Sequence, residues 1–432
     1  LNIGPKGFTG EKYGGVPYWD TEAFCLPVYL ATSEAGVAKN LLRYRHRQLG
    51  KAIENAEKLG FTDGAALFPM VTINGEECHN EWEITFEEIH RNGAIAFAVF
   101  DYLRYTGDEA YLLEGGVEVL IAIARFWAQR VSFSSQRQAW VMLGVTGPNE
   151  YENNVDNNWY TSTMAQWTLR YTATAIDRAR ELNAAAVDAL IERVGLDEET
   201  ERERWREIAD NIHLPEDPER GIFLQQSNYL DKELLTVDDL DPSVRPLNQH
   251  WSWDRILRSC FIKQADVLQG LWVLEDHYDL DTIRRNFDFY EPRTVHESSL
   301  SPSVHAVLAV RLGMVDKAHE MLLRTARLDL DDLNNDTEDG CHTTSMAGTW
   351  IATVHGFGGM RVVDGELHLD PTLAPSWAAL EFQVQFRGAW LSVTASPTEV
   401  TVENHADVAA AVWVGAHRHL IEAGRRISEP AG

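Results

Sequence analysis

Residues 356–369 read GFGGMRVVDGELHL, and the texture of the chain changes there. Upstream, from about residue 20, apolar residues recur at helical spacing in twelve segments: 21–33, 36–59, 86–105, 109–130, 161–182, 184–194, 200–212, 263–278, 281–290, 301–311, 314–327 and 345–356. Downstream, short runs at 367–369, 380–386, 390–395, 399–404 and 409–414 alternate with period two between Gly, Pro, Asn and Asp. GFGG superficially suggests a phosphate loop, but it ends a helix and precedes strands, so it reads as a C-cap and hinge. The chain therefore divides into a helical domain, 1–360, and a small antiparallel β domain, 361–432. Many helices of similar length joined by long polar, aromatic loops suggest a toroid of helix pairs whose loops converge on a cavity at one end. Between 182 and 211, Ala-rich and charged stretches fit two helices or one with a kink.

The 432 residues are 44% hydrophobic and carry a net charge of −28. That field repels nucleic acid and anionic membranes, while a small anion can still be gathered by helix N-termini and a few cations. No run approaches the ~20 apolar residues of a membrane helix. LNIGPKGFTG shows no secretory signal and no initiator Met, so the true start is expected to lie elsewhere. Cys25, Cys78, Cys260 and Cys341 stand singly, without metal-ligand spacing. They read as reduced thiols of a cytoplasmic protein, and no metal or cofactor is expected.

The loops carry the chemistry. Trp19-Asp20, Trp82 within HNEWE, Trp159 after VDNN, Trp251 and Trp253-Asp254 pair indoles with acids. Indole faces suit the C–H faces of sugar rings while carboxylates take the hydroxyls, although each Trp alone is equally a helix-end packing residue. In GVTGPNEYENNVDNNWYTS, 144–162, Glu150 is a candidate proton donor to a glycosidic oxygen, with Glu152 and Asp156 as alternatives that spacing does not separate. In DGCHTTSMAGTW, 339–350, the hydroxyls of Thr343, Thr344 and Ser345 beside His342 open a helix, where they either bind an oxyanion or simply cap it. VHESSLS, 295–301, repeats that ambiguity. Lys263-Gln264 is expected at the start of the helix KQADVLQGLWVL.

Taken together, NIGPKGFTGEKYGGVPYWDTEAFCLP, ECHNEWEITFEEIHRNGAIAFA, GVTGPNEYENNVDNNWYT, KQADVLQGLWVLEDHYD, RRNFDFYEPRTVHESSLSPSVHA, TARLDLDDLNN and DGCHTTSMAGTWIATVHGFGGMR resemble, in order, the inverting disaccharide phosphorylases of glycoside hydrolase family 65. The resemblance implies an (α/α)6 barrel followed by a β-sandwich, with phosphate as co-substrate and an α-linked glucose disaccharide cleaved with inversion. By motif position it implies Glu150 as general acid, and Trp19, Asp20, Lys263 and Gln264 as holders of the transferred glucosyl unit. His342, Thr344 and Ser345 fall in the phosphate stretch. The loop from His79 to Glu87, with His79, Asn80 and Glu81, shapes the acceptor pocket, and HNEWE is the form that implies maltose. A homodimer is implied by the resemblance alone.

A hydrolase of this stereochemistry needs a second carboxylate to activate water, whereas phosphate is already a nucleophile and needs a cradle. Family members carry an N-terminal β-sandwich and a helical linker, and this chain is expected to begin inside the barrel, without its first helix. The alternatives are a hydrolase or a phosphorylase of trehalose, kojibiose or nigerose within the same fold, or a non-catalytic sugar-binding fragment.

Overall fold

The computed structural model describes residues 2–78 and 83–431. Helices occupy the chain to Phe357 and strands dominate from Arg361 onward. Among the described residues no helix is long and apolar enough to cross a membrane.

Helix length follows local sequence closely. Trp159–Val194 is interrupted at Asn183, whose backbone is extended (φ −159°, ψ 93°), so two helices meet at a kink there, between the two segments expected. Asn158 starts it by accepting from the Thr161 N–H, and Gly195 ends it in the left-handed region that glycine occupies without cost. The expected helix 36–59 breaks at Gln48 into Ala35–Arg47 and Leu49–Lys58. The one expected at 86 begins only at Arg91. Three helices open or close with a wide π turn, at Thr21–Cys25, Leu112–Gly116 and Ala352–Phe357. One continuous core, from Trp19 to Ile421, runs through both helical and β regions.

The N-terminal segment is a strap across the end of the helical region. Thr343 donates its N–H and its hydroxyl to Pro5 O, the Lys6 ammonium reaches Asp336 O at 2.8 Å, and the Cys341 N–H bonds the Thr9 hydroxyl at 2.8 Å. Lys6 is 1% exposed, so the strap is part of the packed structure.

After Gly359 two four-stranded sheets form. In one, Leu380–Phe386, Ala389–Ala395, Glu399–Asn404 and Arg426–Pro430 pair antiparallel in succession. In the other the order is His417–Ile421, Ala410–Val414, Glu366–Leu369, Arg361–Val363. Its central pair, Val412 beside Leu367, is parallel, which corrects the expectation of a purely antiparallel domain. The chain leaves this sheet at Leu369, builds three strands of the other and returns at Ala410, and such a crossover brings a strand back in the same direction. The β domain is fastened to the helices by Tyr105 Oη donating to Gln385 O at 2.7 Å and by the Arg361 guanidinium paired with Glu275.

Candidate active site

A cleft of about 540 Å³ opens at the strap end of the helical region. Its walls include Tyr13, Trp19, Asp20, Glu88, Glu150, Lys263, Gln264, Glu297, Ser298, Asp336 and His342.

Glu150 is presented by a loop with a tied neck. Val145 and Val155 exchange N–H···O bonds of 2.9 and 2.8 Å, just beyond a short hairpin, Ser132–Ser134 with Ala139–Val141. Glu87 supports this loop from below, accepting from the Thr146 hydroxyl at 2.7 Å and from the Asn154 N–H at 2.8 Å. Glu150 sits at φ 52°, in the left-handed region that a side chain occupies at a cost. Its carboxylate receives the Lys263 ammonium at 2.5 Å and the Gln264 amide at 3.3 Å. The two alternative acids are engaged elsewhere: Glu152 is buried under Lys232 at 2.8 Å, and Asp156 accepts from the Gly144 N–H at 3.1 Å.

Lys263 and Gln264 are not at a helix start. The Ile262 N–H bonds Arg293 O and Ile262 O accepts from Val295, so the backbone here is extended alongside Thr294. The helix begins only at Val267. This β-like pairing aims both side chains at Glu150, and the Ser298 hydroxyl braces Gln264 from behind by donating to its Oε1.

Trp19 and Asp20 stand on the opposite side, at the start of the Thr21–Cys25 turn. Behind them, the fully buried Arg45 guanidinium grips Glu22 at 2.7 and 3.0 Å and fixes that turn. Trp19 meets the His90 ring edge-on at 4.7 Å. Burial pushes the Asp20 carboxyl up to about 6, against the opposing hydrogen bond from Thr344. Glu88, 1% exposed and with Oε1 unpartnered, is driven well above the usual carboxylate range by burial and by the charge of Glu150. Sequence reasoning missed Glu88 because nothing in FEEIHR signals that its second acid is buried.

The residues expected to hold phosphate differ in their surroundings. His342 occupies the N-cap position of Thr343–Ile351 and lines the cleft. Its Nδ1 faces Asp329 at 2.6 Å and its Nε2 faces Asp336 at 3.2 Å. Burial depresses its pKa, but Asp336 and Asp329 more than offset this, and the net shift is upward, favouring the imidazolium. The Thr344 hydroxyl donates to Asp20 Oδ1 at 2.8 Å and the Ser345 hydroxyl to Thr325 O at 2.6 Å, so both are committed to protein partners. In VHESSLS, Glu297, Ser298 and Ser299 line the cleft, while His296 turns inward against His305, ring centroids 4.4 Å apart. Glu291, His296 and His305 place ligand-type atoms within 4.8 Å of one another, but Lys317 holds Glu291 at 3.1 Å and the charges of Arg324 and Arg245 bear on His296, an environment that opposes a dication.

Of the loop tryptophans, Trp19 alone lines the cleft among the described residues. Trp159 stacks on Phe223 at 4.6 Å, and Trp251 carries the Arg255 guanidinium at 3.6 Å. His79, Asn80, Glu81 and Trp82 lie outside the described residues.

An acid-bearing loop, a tryptophan and a buried carboxyl around one cleft, on a helical scaffold with a trailing β domain, place the chain among proteins of the glycosyl hydrolase type. It belongs to glycosyl hydrolase family 65: residues 1–351 match the family's central catalytic domain and 360–417 its C-terminal domain. It is 55% identical over 403 residues to maltose phosphorylase of Bacillus subtilis (strain 168), covering 93% of this chain and 52% of that protein. It is 37% identical over 393 residues to alpha,alpha-trehalose phosphorylase of Thermoanaerobacter brockii, covering 91% and 50%. A solved structure described as a putative kojibiose phosphorylase from human microbiome superposes with a TM-score of 0.91 at 30% identity, over 99% of this chain and 58% of that one. The chain thus spans about half the length of the curated relatives it matches.

Proposed function

We propose that this chain carries the phosphorolytic site for maltose, on an (α/α)6-barrel scaffold over 1–360 followed by a β-sandwich over 361–432. The reaction yields glucose and β-D-glucose 1-phosphate. Glu150 gives its proton to the glycosidic oxygen as the C–O bond breaks, and phosphate attacks the anomeric carbon from the opposite face. Trp19 and Asp20 hold the glucosyl ring together with Lys263 and Gln264, and His342 supplies a cation for phosphate.

The observation that carries this reading is the state of the other cleft acids. Glu297 accepts from the Tyr151 hydroxyl at 2.6 Å and the Leu247 N–H at 2.8 Å, and Asp336 pairs with Lys6 and His342. Burial disfavours the charged form of Glu88, and Asp20 is bonded by Thr344. These engagements disfavour Asp20, Glu88, Glu297 and Asp336 as the carboxylate base that inverting hydrolysis uses to activate water; Glu11, also on the cleft wall, is exposed to solvent, and the phosphate dependence tested below separates a base there from phosphate, which needs none. Maltose, rather than another glucose disaccharide, follows from the HNEWE loop and from the higher identity to the maltose-cleaving relative than to the trehalose-cleaving one.

The test is glucose release from maltose, trehalose and kojibiose, each with and without phosphate. Phosphate-dependent release from maltose, with the β anomer of glucose 1-phosphate seen first by NMR, is the expected result. Equal release without phosphate overturns it in favour of a hydrolase, and an early α product overturns inversion.

A further inference from the structure

We infer that Asp266 is a positioning residue: its buried carboxyl, gripped by the Asn158 amide, fixes the main chain at Asn149 and so sets where Glu150 stands against Lys263 and Gln264. The inference rests on Glu150 being the acid of the proposed reaction.

Asp266 is 3% exposed and is not part of the cleft wall. Asn158 Nδ2 lies 3.0 and 3.1 Å from its two oxygens, and the Asn149 N–H reaches Oδ2 at 3.3 Å. Asn149 in turn accepts the Lys263 N–H on its Oδ1 at 2.7 Å, and Gln264 donates to Pro148 O at 2.6 Å. The acid loop and the strand-like segment bearing Lys263 and Gln264 are thus laced together along a buried seam that includes Asp266. A buried carboxyl is costly unless it is bonded, so this one is retained in a place where its bonds hold two chain segments in register.

Two further observations bear on the same point. A Cβ at Gly147 would lie 2.2 Å from Asp266 Oδ2 and 2.3 Å from Asn158 Nδ2, so the pair presses directly on the acid loop's main chain. Glu150 itself stands in the left-handed region, and such a conformation persists only where its surroundings over-determine it. Asn158 is also the cap of the long helix Trp159–Val194, accepting from the Thr161 N–H at 2.8 Å. Asp266 therefore references the acid loop to a rigid element, and its side chain touches neither sugar nor phosphate.

The experiment is Asp266→Asn beside the exchange pair Asn158→Asp/Asp266→Asn, which turns the donor and acceptor around and leaves an oxygen for Thr161, giving up only the Asn158 amide's bond to Gln225 O. In Asp266→Asn two amides face each other. Turnover on maltose is expected to fall roughly ten- to a hundred-fold, with the Michaelis constants for maltose and phosphate changed little, because a displaced acid costs rate more than binding. Hydrogen exchange at the amides of 147–150 should accelerate, and the exchange pair should recover most of both losses. Should Asp266→Asn not fold, Asn158→Ser, which keeps a helix cap but drops the amide donor, reads the same quantities. Unchanged turnover per folded molecule with only a lower melting temperature overturns the inference, as does an exchange pair no better than Asp266→Asn. A wild-type protein that releases no glucose from maltose counts against the phosphorolysis reading alone, since hydrogen exchange still tests the seam.

Discussion

Thr344 donates its hydroxyl to Asp20 at 2.8 Å, joining residues 324 positions apart in the sequence at the floor of the cleft. Burial raises the Asp20 carboxyl from 3.8 to about 6, so the native protein holds this proton more tightly than the unfolded chain does. The stability contributed by the group is complete below 3.8 and is lost as pH rises through about 6. Asn keeps the shape and never ionises. Asp20→Asn should therefore gain stability over wild type increasingly between roughly pH 4 and 7, on the order of 3 kcal/mol at most, while losing activity. Urea unfolding across that range reads the difference, and a gap that stays flat would show that Asp20 ionises in the native cleft as freely as in the unfolded chain.

Replacing Glu150 by Gln keeps the side chain's shape and one of the two oxygens that Lys263 and Gln264 donate to, but removes the proton. Phosphorolysis of maltose should drop by roughly 10²–10⁴-fold with maltose binding nearly intact, measured by glucose release and calorimetry. Activity within a few-fold of wild type takes Glu150 out of the mechanism.

His342 and Ser345 should separate cleanly. Ser345→Ala leaves Thr325 O without its hydroxyl donor in the core and should cost about 1–3 kcal/mol of stability with the Michaelis constant for phosphate unchanged. His342→Gln removes a cation and should raise that constant roughly ten- to a hundred-fold. In the wild type the same constant should rise with pH, because the imidazolium that Asp336 and Asp329 sustain is lost above its raised pKa. A pH-independent constant for phosphate would move phosphate recognition away from His342.

Gly147→Ala places a methyl where Asp266 and Asn158 already stand. Overpacking of this kind typically costs about 1–3 kcal/mol, and here the strain falls on the acid loop. Both melting temperature and turnover should fall. A variant with wild-type turnover would mean the loop relaxes without moving Glu150.

Much of the helical region was legible because periodic apolar faces are a local property. The helix Ser301–Arg311 has the bounds its spacing predicts, and the kink at Asn183 falls between the two segments expected on either side. Strands His417–Ile421 and Arg426–Pro430 were not legible, since each is polar and largely exposed and lacks the alternation that marks a half-buried strand. Lys263 and Gln264 were read as helical because the apolar run of the following helix extends back through them. The extended backbone that leads into them is set by Ile262 pairing with 293–295, about thirty positions away. The choice among Glu150, Glu152 and Asp156 is partly tertiary: Gly144, within the same stretch, takes Asp156, but the Lys232 that covers Glu152 comes from 80 positions away. In sequence, a hydroxyl at a helix start looks alike whether it faces a cleft or, like Ser345, bonds a core carbonyl.

The strap of residues 4–9 makes its long-range hydrogen bonds to 336–343. During synthesis these first residues must therefore wait for more than three hundred others before any of those bonds can form, and contacts of such long range are slow to close. Until then Lys6 has no burial site and His342 lacks part of its surroundings, so a nascent chain can be largely helical while its cleft stays open. Completion of the cleft becomes a late kinetic event, and the interval before it is when exposed apolar surface near the strap would be most accessible to chaperones and proteases.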